Sequence, residues 1–147
     1  MKEDSGNIYR IARRASGYTQ ERWAEYLGVS PEAVRQYENG TIMPAEDVLL
    51  MMADLSGMKI LPYWHLSRKS RIAGAILPEL DEQKGLPEAV LALLIQIDEF
   101  REDGLARLMR IAADGKVSED ESESYDCAIS QLQKLIRKAY ELGYAKE

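Results

Sequence analysis

The chain of 147 residues has little of what most enzymes and metal sites need, with one cysteine and one histidine. A single thiol, Cys127, forms no internal disulfide, which fits a reducing cytoplasm; its apolar helical phase predicts a buried, inert side chain. The lone His65 is typical of a structural residue and leaves no Cys/His set for zinc. A glycine-rich phosphate loop is also missing. We therefore expect no enzyme, no metal site and no cofactor.

Long apolar runs are absent as well. No stretch approaches the roughly 18 consecutive apolar residues that a membrane span requires. The N-terminus lacks a basic segment followed by an apolar core. These absences predict a cytoplasmic protein with no membrane partner. Hydrophobic residues make up 46% of the chain and charged residues 30%, a balance typical of folded domains.

The negative charge of the chain is unevenly distributed. The net charge is −6. Residues 1–72 carry 10 basic and 9 acidic side chains, whereas residues 73–147 carry 9 basic and 16 acidic ones. Of the two halves, only the N-terminal one therefore has a charge that suits binding to a nucleic acid. The small basic surplus there predicts few phosphate contacts.

Residues 19–40 predict two short helices joined by a tight turn. Thr19 is the predicted N-cap of the first helix, and Gly28 supplies the left-handed conformation that ends it. Ser30 caps the second helix, with Pro31 at its first position, where a missing N–H costs nothing.

The two faces of this helix pair differ in chemistry. Ala24 is small enough to let the helices cross closely, Val34 turns inward, and Gly40 ends the second helix. The outer face of the second helix is polar, and its side chains can hydrogen-bond base edges or phosphates: Glu32, Arg35, Gln36 and Asn39.

This pattern strongly resembles the helix-turn-helix of phage Cro and repressor proteins and of the xenobiotic-response-element regulators. The resemblance covers about residues 6–66. It rests on Gly-Tyr-Thr-Gln at 17–20, Ala-x-x-x-Gly-Val-Ser at 24–30, Tyr-Glu-Asn-Gly at 37–40 and Pro-Ala-Glu-Asp at 44–47. It implies an all-α, five-helix lambda-repressor-like bundle that binds double-stranded DNA, with residues 1–66 as the DNA-binding domain.

The resemblance also implies roles for single side chains outside the base-reading face. Gln20 would hold a phosphate at the start of the second helix, and Ser30, Asn39 and Thr41 would contact the DNA backbone. The structural positions of the motif are Ala24, Gly28, Val34 and Gly40, with Arg13 and Glu38, which form an internal ion pair in some relatives.

Base reading falls to three side chains of the second helix. Gln36 can pair with adenine N6 and N7, and Glu32 can accept from cytosine N4. Arg35 either reads guanine or grips a phosphate. Pro31 stands where relatives often carry a polar base-reading side chain, which leaves fewer direct readers.

The rest of the chain predicts a connector and a helical hairpin. Residues 67–86 form the connector, in which Ile72, Ile76 and Leu77 could pack as a short helix on one of the flanking units. Residues 87–147 predict two long helices folded back as an antiparallel hairpin, with Gly104 as a weak point. The pattern of the connector and hairpin resembles regulators of Gram-positive bacteria and their mobile elements, a resemblance that implies no specific ligand.

The last helix carries an apolar stripe that needs a partner. Either the stripe packs on the N-terminal bundle, or two copies meet across a two-fold axis as a four-helix bundle. A dimer suits two recognition helices on a palindromic operator. The function we expect is therefore a dimeric, sequence-specific transcriptional regulator, a repressor, that binds an inverted repeat through helix 30–39. The alternative is a protein-interaction or antitoxin-like module without specific DNA readout, whose hairpin binds a protein partner.

Overall fold

The computed structural model describes residues 7–147. Every regular element within this range is a helix, so the predicted all-α class is confirmed. The chain divides into two compact units between Ile76 and Leu77. Among the described residues, no helix combines the length and the apolar character of a membrane span.

The first unit, as far as it is described, contains six helices. They are α1 (Ile8–Ala15), α2 (Gln20–Leu27), α3 (Pro31–Glu38), α4 (Glu46–Ser56), α5 (Leu61–Lys69) and α6 (Arg71–Ile76). The fourth helix begins at Glu46, because Ala45, its N-cap residue, keeps an extended backbone.

The core of the first unit is built from the inner faces of these short helices. Its largest fully buried side chains are Trp23, Tyr9, Met52, Ile60, Leu61 and Val34. Removing this apolar surface from water supplies the stability that helices of eight to eleven residues lack in isolation.

The α6 helix extends the first unit beyond the predicted domain. It packs on α5, and a Cβ at Gly74 would lie only 2.9 Å from the Ser67 carbonyl oxygen, so glycine permits the approach. Ile72 and Ile76, which we expected to pack, are 75% and 74% exposed. The expected short helix is present and packs on α5, but the expected packing of these two side chains was wrong, because the contact uses the small Gly74. The predicted domain limits, 1–66 and 87–147, stay predictions.

The second unit is a helical hairpin. Its first arm consists of α7 (Leu86–Glu99), a π-helical segment (Phe100–Gly104) and α8 (Leu105–Ile111), and its second arm is α9 (Ser122–Gly143). Both α7 and α8 pack along α9. The Leu86 N–H donates to the Lys146 carbonyl at 2.8 Å, so the start of α7 lies beside the residues that follow α9. The arms are therefore antiparallel.

The turn and the bulge of the hairpin follow local chemistry. Before α9, Ser118 and Glu121 form the predicted capping box, with the Ser118 N–H donating to Glu121 Oε2 at 3.0 Å. At the predicted weak point, Gly104 ends the π-helical segment. A methyl group there would overlap the Phe100 ring and the Gln131 side-chain oxygen, so only glycine lets the two arms approach this closely.

Cys127 is exposed, contrary to the expected burial. The fully buried position of α9 is Ala128, the next residue along the chain. One residue corresponds to about 100° around an α-helix, which turns the thiol away from the contact with the first arm of the hairpin.

Candidate nucleic-acid interface

Side-chain caps begin both α2 and α3, and a left-handed glycine ends α2. Thr19 Oγ1 accepts the Arg22 N–H at 3.2 Å, and Ser30 Oγ accepts the Ala33 N–H at 3.1 Å. Gly28 has a φ of +66°, which a side chain would disfavour. Both helices therefore begin after the N-cap residues that the sequence predicts, Thr19 and Ser30.

Small and branched residues set the distance between α2 and α3. Ala24 and Val34 are each 1% exposed, and the Val29 N–H returns to the Ala24 carbonyl at 3.0 Å. Gly40, with a φ of +74°, then turns the chain after α3. The α3 helix is thus packed closely against α2.

A buried carboxylate ties the end of α3 to α1 and α2. Glu38 has a side chain that is 2% exposed; Arg13 Nε donates to its Oε1 at 2.5 Å, and Gln20 Nε2 donates to its Oε2 at 2.9 Å. Burial by itself would raise the pKa of Glu38, but the hydrogen bonds from Arg13 and Gln20 outweigh it and lower the pKa below its ordinary value. Glu38 is therefore ionised at neutral pH.

Arg10 belongs to the same cluster, although the motif did not indicate it. Its Nε lies 3.5 Å from Glu38 Oε2, and its Nη2 lies 3.4 Å from Asn39 Oδ1. The signal that could have found it is its spacing, because Arg10 precedes Arg13 by about one helical turn and so lies on the same face of α1.

The outer face of α3 carries three of the predicted DNA-contacting side chains, Glu32, Arg35 and Gln36. Arg35 Nη1 pairs with Glu32 Oε2 at 3.0 Å, and the two side chains are 49% and 63% exposed. Gln36 is half-buried, and no hydrogen bond within the described part of the chain holds its side chain. An exposed ion pair contributes only about 0.2–1 kcal/mol, so Arg35 can exchange Glu32 for another anion at small cost.

The four residues predicted to contact the DNA backbone differ in exposure and in the hydrogen bonds that they make within the protein. One amide hydrogen of Gln20 is used by Glu38, which leaves its second N–H for a phosphate. Ser30 uses its oxygen as a cap acceptor and keeps its hydroxyl hydrogen. Asn39 and Thr41 are both exposed after α3. The loop also exposes Ile42 and Met43, which sequence reasoning did not single out.

His65 has a structural position in the first unit. Its Nδ1 lies 2.7 Å from the Tyr9 hydroxyl, which joins α5 to α1. Burial, with the nearby charge of Lys69, lowers the pKa of His65, and burial raises the pKa of Tyr9 to about 12. Within residues 7–147, no group of three or more His, Cys, Asp or Glu side chains could hold a metal ion.

Comparison with known families agrees with this geometry. Residues 10–59 match the family model described as helix-turn-helix (HTH_3), a span that holds most of α1 and all of α2, α3 and α4. No curated protein and no solved structure matches the chain. The predicted resemblance to Cro- and repressor-type regulators is confirmed for this segment. The first unit therefore carries a DNA-binding helix-turn-helix domain, whereas the resemblance of the C-terminal part stays a prediction.

Proposed function

We propose that the protein is a sequence-specific transcriptional regulator, a repressor, that binds an inverted-repeat operator as a dimer through residues 30–39. The helix-turn-helix match at residues 10–59 carries this proposal. Repression follows from occupancy, since a protein bound at an operator excludes the transcription machinery. The same function places the protein in the cytoplasm, where an operator is accessible.

The proposed base contacts use the outer face of α3. Gln36 pairs with adenine N6 and N7, because its amide offers one donor and one acceptor side by side. Glu32 accepts from cytosine N4, which requires that Arg35 leave it. Arg35, once released, turns to a guanine or a phosphate. The exposed Ile42 and Met43 add apolar contacts of the kind that suit a thymine methyl group.

The proposed backbone contacts fix the register on the duplex. Gln20 and Ser30 lie at the starts of α2 and α3, where free N–H groups and the helix dipole favour a phosphate. Asn39 and Thr41 supply side-chain donors after α3. These contacts position the domain and carry no sequence information by themselves.

Selection of genomic DNA fragments by the purified protein, with competitor DNA and read by sequencing, tests the proposal. The expected result is one inverted-repeat motif. Recovery of nothing above background overturns the proposal and favours the interaction or antitoxin-like module, for which the near-neutral outer face of α3 is the supporting observation.

Replacing Gln36 by alanine then tests the assignment of the reader. Gln36→Ala is expected to lose about 1–3 kcal/mol of operator affinity and to relax the preference at one base pair in each half-site. Ser130→Ala removes an exposed polar group of α9 and is the control, with unchanged affinity. An unchanged affinity of Gln36→Ala removes this residue from the proposed readers.

A further inference from the structure

The α7 helix is apolar on more sides than the hairpin buries. Its fully buried positions are Ala89 and Gln96. A second apolar stripe, at i, i+4, i+8 and i+11, stays exposed to 42%, 37%, 53% and 42%: Leu86, Val90, Leu94 and Ile97. A helix that is apolar nearly all round is normally buried.

The α9 helix carries a matching stripe. Ile136 is 48% exposed, and Ala139 and Gly143 are exposed at helical spacing from it. Counted at about 100° per residue, this stripe lies to one side of the buried Ala128 of α9, and the α7 stripe is displaced in the same rotational sense from the buried Ala89 and Gln96. Since the arms run antiparallel, displacements in the same sense bring both stripes to one face of the hairpin. We call this surface the apolar face.

The apolar face contains a groove at the end of α9. The groove has a volume of about 420 Å³, because two of its four lining residues are small: Ala139, Tyr140, Gly143 and Tyr144. A Cβ at Gly143 would meet no atom within 4 Å. The groove is therefore an open depression, on which a side chain from outside the hairpin can pack.

The extent of the apolar face fits an interface between protein chains. Leu105 and Met109 of α8, 44% and 68% exposed, continue the α7 stripe. Together with Ile136, the stripe gives the hairpin seven apolar side chains that are 37–68% exposed along both arms. A row of exposed apolar side chains of this kind marks an interaction surface on a soluble protein.

We infer that a second copy of this chain covers the apolar face, forming a four-helix bundle whose two-fold axis runs parallel to the helices. This assignment of the surface rests on the dimer of the proposed function. Rotation about such an axis places α7 of each copy on α9 of the other, without changing the height of either helix. Leu86 lies beside Lys146 within each hairpin, so Leu86 and Val90 of one copy reach the groove of the other.

The alternative axis, perpendicular to the helices, explains less. It would place α7 on α7 and α9 on α9, which sets exposed leucines against one another and leaves each groove opposite an α9 helix. The parallel axis instead puts bulky side chains against small ones. Packing of large against small residues is how helices in bundles approach closely.

Sedimentation equilibrium of the full chain without DNA tests the surface. A dimer is expected at tens of micromolar, and Leu94→Glu is expected to sediment as a monomer while its circular dichroism stays helical. Leu50→Glu is the matched control, because Leu50 on α4 is 54% exposed against 53% for Leu94, and it should remain dimeric. A monomeric wild-type chain, or a dimeric Leu94→Glu, overturns the inference.

The test separates failure of the surface from failure of the proposed function. If the wild-type protein selects an inverted repeat while Leu94→Glu stays dimeric, the apolar face is not the interface but the regulator remains. If Leu94→Glu becomes monomeric in a protein that selects no DNA sequence, the surface stands and the regulator is rejected.

Cysteine pairs test the direction of the two-fold axis. In a Cys127→Ser background, Val90→Cys and Ala139→Cys chains are mixed, allowed to exchange subunits and mildly oxidised. A disulfide in the mixture, and in neither variant alone, supports the parallel axis. A disulfide within Val90→Cys alone, or none in the mixture, overturns it.

Discussion

Arg13 binds both carboxylate oxygens of Glu38, with Nε 2.5 Å from Oε1 and Nη2 3.2 Å from Oε2. This bidentate pair joins α1 to the last residue of α3. A third donor of the same arginine, Nη1, reaches the Tyr18 carbonyl at 2.7 Å just before α2. One guanidinium of α1 therefore holds both the end of α3 and the residue that precedes the N-cap of α2.

The first prediction concerns the stability of this pair. Glu38→Gln should lower the free energy of unfolding by about 3 kcal/mol, because it leaves a partly buried arginine without its counter-charge. Glu32→Gln is the control, since the Glu32–Arg35 pair is exposed and its loss should cost no more than about 1 kcal/mol. Urea denaturation followed by circular dichroism measures both; equal losses would contradict the structural role of Glu38.

The second prediction is a dependence on acid. The pKa of Glu38 is lower in the folded chain than its ordinary value of 4.5, so the folded state binds its proton less readily than the unfolded state. The stabilisation by Glu38 is therefore complete above pH 4.5 and is lost as the pH falls through the lower, folded pKa.

Urea titrations at a series of acidic pH values check this dependence. The wild-type chain should lose stability on acidification more steeply than Glu38→Gln, which lacks the titrating group. The variant should still lose some stability on acidification because of Glu141 in α9. Burial opposes ionisation of Glu141, but hydrogen bonds from Lys138 and Lys84 outweigh burial and lower its pKa. Parallel curves for the two proteins would show that Glu38 does not titrate as described.

The third prediction concerns alkali. Burial raises the pKa of Tyr9 from 10.0 to about 12, so the folded state retains a proton that the unfolded state has lost. Its contribution is present below pH 10 and disappears as the pH rises toward 12, by about 2–3 kcal/mol in total. Tyr9→Phe should flatten this alkaline loss in denaturation curves, whereas Tyr26→Phe, at an exposed ring, should keep it. An unchanged alkaline slope in Tyr9→Phe would contradict the burial argument.

The motif could be predicted from the sequence because its signals are local. Thr19 and Ser30 cap the helices that directly follow them, and Gly28 takes its left-handed conformation through backbone sterics alone. These features depend on residues within one or two turns. The match of residues 10–59 to the helix-turn-helix model agrees with them.

Burial in the hairpin could not be predicted in the same way. The α7 helix has several apolar faces, and its own sequence does not say which one meets α9. Leu94 and Ile97, which belong to the apolar period of the sequence, are 53% and 42% exposed, while the polar Gln96 is buried. The expected burial of Cys127 was wrong for the same reason. Such choices depend on the phase of the partner helix, which lies far away in the chain.

The fourth prediction tests the bulge of the hairpin with two glycines. Gly104→Ala should cost about 1–3 kcal/mol, because its methyl group would overlap the Phe100 ring, as in other overpacked sites. Both glycine variants are made in the monomeric Leu94→Glu background, where no second copy fills the groove; there Gly143→Ala places its methyl group in open space within the last turn of α9 and should be neutral or stabilise by up to about 1 kcal/mol. Thermal denaturation compares the pair. Equal effects would mean that the arms can separate at the bulge without loss.

The last prediction is the salt dependence of operator binding. Cations of the first unit are engaged by carboxylates: Arg13 by Glu38, Arg35 by Glu32, and Arg22 by Glu25 at 2.6 Å. Because several cations are already paired in this way, the slope of log K against log salt should have a modest magnitude of roughly 3–7, at about 0.9 for each phosphate neutralised. Fluorescence anisotropy over a range of salt concentrations measures it, and a slope near −10 would contradict a weakly charged interface.

Arg35→Gln then decides between the two roles left open for this arginine. If Arg35 grips a phosphate, the slope should fall by about 1 and every DNA sequence should bind less well. If it reads guanine, the affinity for the operator should fall while discrimination at one base pair in each half-site disappears. Arg110→Gln, at an exposed arginine of α8, is the control for loss of one positive charge. A variant that binds like the wild-type protein would place Arg35 outside the interface and leave it paired with Glu32 on the bound domain.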